Sequence, residues 1–204
     1  MKDLVLLVAD KNMHGSLKGI LAKPAALGMR EISFDLYIHP EQDPGCLRRC
    51  HTFLQSFTHQ YRYALVLLDH EGCGREETDR LELETELEDR LNGAGWEGRA
   101  AAVVIAPELE IWVWSDSPHV ERVLGWKEEG RPLRDWLVEL GYLVPGQLKP
   151  HRPKEAVEKI LRTVRLPRSS SLYNELARKV GLDRCVDHSF LKLKRTLQAW
   201  FGNS

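Results

Sequence analysis

Asp69, His70 and Glu71 end the apolar run "YALVLL" and lead into Gly72-Cys73-Gly74. Two carboxylates one residue apart, beside glycines that allow a sharp turn, can reach a single cation. Asp10 ends a second apolar run, "DLVLLVAD", and "APELEIWVWSD" brings Glu108, Glu110 and Asp116 just after a third. If the three runs are strands of a parallel sheet, their acids meet at its carboxyl edge, where open α/β sheets hold ligands. Gathered carboxylates repel one another, and a hard divalent cation relieves that repulsion. Mg²⁺ and Mn²⁺ favour oxygen donors, commonly a few carboxylates plus water and substrate phosphate. An ion so held orients a water nucleophile and neutralises charge on a phosphodiester. The convergence carries this reading. Taken singly, Asp10 reads as a helix cap, an acid after a strand reads as a turn residue, and Glu110 reads as any exposed helical residue.

The elements that would position these acids are legible from periodicity. "DLVLLVAD" and "YALVLL" read as buried strands, "RAAAVVIA" as another, and the alternating "ISFDLYI" as a strand of lesser burial. Between them, "SLKGILAKPAALG" has helical spacing, with Ser16 as a cap, Gly28 as a stop and Pro24 splitting the helix. "CLRRCHTFLQSF" places Leu47, Cys50, Leu54 and Phe57 on one face. "REETDRLELETELEDRLNG" aligns Leu83, Leu87 and Leu91 and closes at Asn92-Gly93. Alternating strands and helices predict an α/β fold with a mainly parallel four-stranded sheet flanked by helices. After Pro107 the pattern turns helical, in "RPLRDWLVELG", "PKEAVEKILRTV", "SSLYNELARKVG" and "HSFLKLKRTLQAWF". The Pro-rich "LVPGQLKPHRP" (143–153) marks a hinge, dividing an α/β core (1–145) from a helical, basic extension packed on it (146–204).

The formal net charge of -1 conceals an asymmetry. From Lys149 onward there are 13 Lys and Arg against 5 Asp and Glu, a net of +8, so the remainder carries -9. An acidic body with a basic tail suggests a phosphate-bearing partner or self-association, set against a plain solvated face. The apolar runs are strand-sized, far short of the ~20 residues of a membrane span. No signal-peptide pattern opens the sequence, so the expected location is the cytoplasm. Four scattered cysteines are expected as free thiols.

With those motifs in place, the chain resembles the Toprim-like family. It is most similar to a small prokaryotic single-domain branch related to the nuclease half of overcoming-lysogenization-defect and retron-type defence proteins. Within that branch it looks most like the small Toprim-like component of a methylation-associated anti-phage defence system. The motifs that carry the likeness are an acid after strand one, the D-x-E turn Asp69–Glu71, and the E-x-W-x-x-x-D motif from Glu110 through Trp112 to Asp116. Further likeness lies in the lysine-led "PKEAVEKIL" and in Cys185 followed by Phe190. The family has Glu after strand one where this chain has Asp10, one methylene shorter. The resemblance implies a Toprim/Rossmann-like sheet and Mg²⁺- or Mn²⁺-dependent cleavage of nucleic acid. Asp69, Glu71 and Glu110 would hold the ion, Asp10 would act as ligand or base, and Lys11, Arg152 and Lys154 would contact phosphate. It also implies defence-system protein partners and is compatible with a homodimer. The alternative is a non-catalytic assembly or regulatory subunit that retains the fold.

Other signals carry less. Cys46-x-x-x-Cys50-His51 lacks the second pair of a structural zinc site. Gly72-Cys73-Gly74 lacks the lysine and hydroxyl of a phosphate loop. Trp112, Trp136 and Trp200 occupy apolar helical positions. Trp114, beside Glu110, is the one tryptophan open to base stacking. His14, His70 and His119 fall near the acids, and His70 is expected to point away from its two neighbours.

Overall fold

A computed structural model describes residues 1–115, 117–127, 131–181 and 185–202. Four parallel strands form one sheet in the order β2-β1-β3-β4: β1 Lys2–Val8, β2 Phe34–Ile38, β3 Tyr61–Asp69 and β4 Ala100–Ile105. β1 and β3 are the central pair, which is why they read as unbroken apolar runs: both faces are covered. Leu4 through Val8 and Ala64 through Leu68 are buried. Edge strand β2 is only half-buried, as its alternation implies.

Between the strands run helices α1 (Lys11–Leu21), α2 (Pro24–Leu27), α3 (Gln42–Leu54) and α4 (Arg80–Leu91). Pro24 does break the first helical stretch, and Gly28 ends it at φ 71°. Ser16, expected as a cap, is instead buried inside α1, and Asp10 is the cap: its carboxylate accepts from the Met13 N–H at 2.8 Å. The long acidic helix starts late, on Asp79. It does not stop at Asn92-Gly93 but winds on to Trp96, turning at Gly95 with φ 96°. Asp79 accepts from the Leu81 N–H at 2.8 Å. Asp79→Ala is expected to lower stability by about 1 kcal/mol, measured as a lower urea midpoint at unchanged slope.

Beyond β4 come α5 (Pro118–Val123), α6 (Leu133–Glu139), α7 (Pro153–Val164), α8 (Ser170–Lys179) and α9 (His188–Phe201). Helix α8 packs on α1 at very close range. A Cβ added at Gly15 would lie 2.2 Å from the Ser170 carbonyl oxygen, and one at Gly19 would lie 2.6 Å from that of Asn174. Helix α9 packs against β4, and its end is tied to the α2–β2 segment by the Met29–Gly202 bridge and by Arg30 N–H to Phe201 O at 3.0 Å. The outer edge of β4 is closed by side chains. Glu88 accepts from Ala102 N–H at 3.0 Å, Glu84 accepts from Val104 N–H at 2.9 Å, and Lys192 of α9 bridges both carboxylates. Acids of α4 therefore serve an edge strand that would otherwise expose unpaired donors. Among the described residues no helix is long and apolar enough to cross a membrane.

Candidate carboxylate site

The strand order reverses between β1 and β3, since β1 leads outward to β2 and the chain then returns to β3. That makes the β1/β3 carboxyl ends the topological switch point, the place where open α/β sheets hold ligands. Asp10 follows β1 there and Asp69 ends β3. The β4 exit adds Glu108 and Glu110, and the first turn of α3 adds Asp43.

These acids form one electrostatic unit. Asp69 keeps a small exposed surface, yet protein packs closely round its carboxyl. Burial, then the carboxylates of Asp43, Glu110, Asp10 and Glu108, hold its pKa well above the usual range. Burial also raises Asp43, with Asp10 contributing. Backbone donors orient the group: Asp69 Oδ1 accepts from Leu109 N–H at 2.8 Å, and Asp43 Oδ1 from Asp69 N–H at 2.7 Å. With Asp10 on Met13, each of the three carboxylates commits one oxygen to a backbone N–H.

The five acids divide into two sets. Glu110, 1 % exposed, accepts from Arg168 Nη2 at 2.6 Å and from the Tyr173 hydroxyl. Burial and the Glu110 charge push the Tyr173 phenol up, so it stays protonated as a donor. Glu108 accepts from the Lys154 N–H at 3.0 Å and pairs with Lys154 Nζ at 3.2 Å. Burial raises its pKa while Lys154 opposes the rise. By contrast, Asp10, Asp43 and Asp69 make no ion pair among the described residues.

The structure thus brings Asp10, Asp69 and Glu110 together and adds Asp43 and Glu108. Glu71 is exposed and lies on the rim. There it lines a cleft of about 390 Å³ with Glu108, His151, Arg152, Lys154 and Glu155. Positive φ at Gly72 and Gly74 (89° and 85°) turns the chain just after Glu71. Lys11 is exposed at the start of α1. Asp116 lies outside the described residues. His70 bonds through Nε2 to the Thr78 carbonyl at 2.8 Å, a structural tie. Trp114 is 3 % exposed and donates to the Pro153 carbonyl at 3.1 Å, so it offers no stacking face. Cys46 and Cys50 are wholly buried in the core.

Sequence reasoning missed Asp43, Arg168 and Tyr173. Asp43 had a readable signal, an acid before Pro44 at the start of a helix, but that pattern serves helix N-termini generally. Among the described residues, no group of three or more His, Cys, Asp and Glu side chains is placed to hold a metal ion. In kind, though not in arrangement, the side chains of Asp10, Asp43 and Asp69 suit a hard divalent cation: all offer oxygen and none makes an ion pair among the described residues. No family model matches this chain, and no curated protein or solved structure matches it.

Proposed function

We propose that the carboxylate cluster is a divalent-cation site for hydrolysis of nucleic-acid phosphodiesters, in a Toprim-like protein of prokaryotic anti-phage defence. One observation carries the reading: Asp69 sits among four other carboxylates at the switch point, with its pKa raised and no ion pair among the described residues. Asp10, Asp43 and Asp69 would hold Mg²⁺ or Mn²⁺, with Glu71 at the rim. The ion, when bound, would supply charge neutralisation and an activated water. The chain's own residues account for the rest. Arg152 and Lys154, in the cleft beside Glu71 and Glu108, present positive charge to a substrate phosphate. Glu108 holds Lys154 in place, and backbone N–H groups fix the aspartates. Other proteins of the defence system, in the cytoplasm, would deliver or restrain the substrate, and a homodimer is compatible with this reading.

The test is calorimetric titration with Mn²⁺ on the wild type and on Asp43→Ala, followed by cleavage of labelled DNA and RNA. Wild-type binding should weaken at least tenfold in the variant, with cleavage falling in step. Absence of heat in the wild type favours a second reading, a non-catalytic assembly subunit. That reading has its own supporting observation: Glu110 is already committed to Arg168 and Tyr173.

A further inference from the structure

Helix α7 buries Pro153, Ala156, Val157, Ile160 and Leu161 on one side. Its other side, with the turn that follows, carries the charge. From Arg152 to Arg168 there are six basic residues and two acidic ones, a net of +4. The two acids do not cancel the basic row. Glu155 pairs with Arg152 at 3.3 Å, and Glu158 lies between Arg162 at 3.5 Å and Arg168 at 3.6 Å. Lys154 and Arg168 are close enough for each to feel the other's charge. The row therefore begins at the cleft and continues to Arg162 and Arg165, both exposed. With 12 residues, α7 is about 18 Å long.

The far end of the row holds a backbone anomaly. Helix α7 ends in a left-handed turn in which Arg165 N–H donates to Arg162 O at 3.3 Å and Leu166 N–H to Leu161 O at 2.9 Å. This pattern favours glycine at the left-handed position. Here the position is Arg165, at φ 59° and ψ 36°. Glycine adopts that conformation without the steric cost that any Cβ incurs. The Arg165 side chain is exposed and forms no ion pair among the described residues, so no salt bridge there offsets that cost. A strained, exposed arginine beside other cations is the kind of backbone outlier from which a functional position is inferred.

We infer that the outer face of α7 and its C-terminal turn form a track for a nucleic-acid backbone, with Arg162 and Arg165 contacting phosphates that lead into the Lys154 cleft. This rests on the proposed phosphodiester site and defines the substrate as a strand longer than a single nucleotide.

The experiment uses full-length protein in EDTA, with fluorescein-labelled single-stranded DNA and RNA of one sequence. Anisotropy is read across a salt series for wild type, Arg162→Gln, Arg165→Gly and the double variant. Each single change should weaken binding about fivefold, and the double should reduce the salt slope by roughly 1.4, at ~0.7 per lost contact. Arg165→Gly should melt at or above the wild-type temperature, which separates lost contact from lost fold. Arg162→Gln repeats the test on regular helix, without altering the turn. Unchanged affinity in the double variant, or no binding of either strand by the wild type, overturns the inference. Mn²⁺ titration of the same variants distinguishes the two proposals. Variant-sensitive strand binding without Mn²⁺ binding leaves the track standing and removes the metal site. Mn²⁺ binding with variant-insensitive strand affinity does the reverse.

Discussion

Asp69→Asn is expected to make the metal-free protein more stable and to abolish Mn²⁺ binding. The sign follows from linkage. Burial and neighbouring carboxylates raise the folded-state pKa of Asp69 above its ordinary value of 3.8. Below about pH 4 the group is protonated in both folded and unfolded chains, and it costs nothing. As pH rises through the folded-state pKa, the unfolded chain has already released its proton and the folded chain must charge a crowded carboxyl. Stability therefore falls with rising pH. Asparagine removes the charge, keeps an oxygen for the Leu109 N–H and offers an N–H to the neighbouring acids. A gain on the order of 2 kcal/mol is expected at neutral pH, the scale on which removing an uncompensated buried charge acts. For a chain of this size that is roughly 4–8 °C. Melting curves from pH 4 to 8 should show the wild type losing stability more steeply than the variant, with part of the slope left by Asp43 and Glu108. Mn²⁺ should raise the wild-type midpoint and leave the variant unmoved, because a ligand stabilises only the state that binds it. A variant less stable than wild type at pH 7 would contradict the electrostatic account.

Gly15→Val carries the largest expected loss of stability. The first added carbon would sit 2.2 Å from the backbone oxygen of Ser170, an atom that cannot swing aside as a side chain can. The two helices must separate, at a cost of about 3 kcal/mol or more. Because α8 also carries Tyr173, the damage should reach the site: Glu110 would lose a donor as the helix moves. The check is a urea unfolding curve run beside Lys18→Ala, a change on the exposed side of the same helix that should shift the midpoint little.

The sheet was legible because its central strands are buried on both faces, which leaves a run that no helix of that length would need. Helices α7 and α9 match the segments read from periodicity, "PKEAVEKILRTV" and "HSFLKLKRTLQAWF", to the residue. The start of α1 was not legible. Asp10 and Ser16 are both good caps, and the structure uses Asp10, as its reading as a cap allowed, which leaves Ser16 buried within the helix. For the site, the rule about strand ends pointed to the carboxyl edge of the sheet, where Asp10 and Glu110 lie within electrostatic reach of Asp69. What could not be read was the division of the acids into paired and unpaired sets. Arg168 and Tyr173 lie 58 and 63 residues from Glu110, and no local pattern announces such a contact. Glu71 shows the converse limit. Its spacing from Asp69 suggested a pair, but the chain turns at Gly72 and leaves it on the rim.

The separation of Glu110 from its partners also orders events on the ribosome. All five acids of the site are synthesised by residue 110, while the cations that neutralise two of them arrive only at Lys154 and Arg168. At translation rates of roughly 5–20 residues per second, Glu110 waits about 3–12 s for its guanidinium. During that interval the acids exist without their cations, so residues 154–168 complete the site electrostatically.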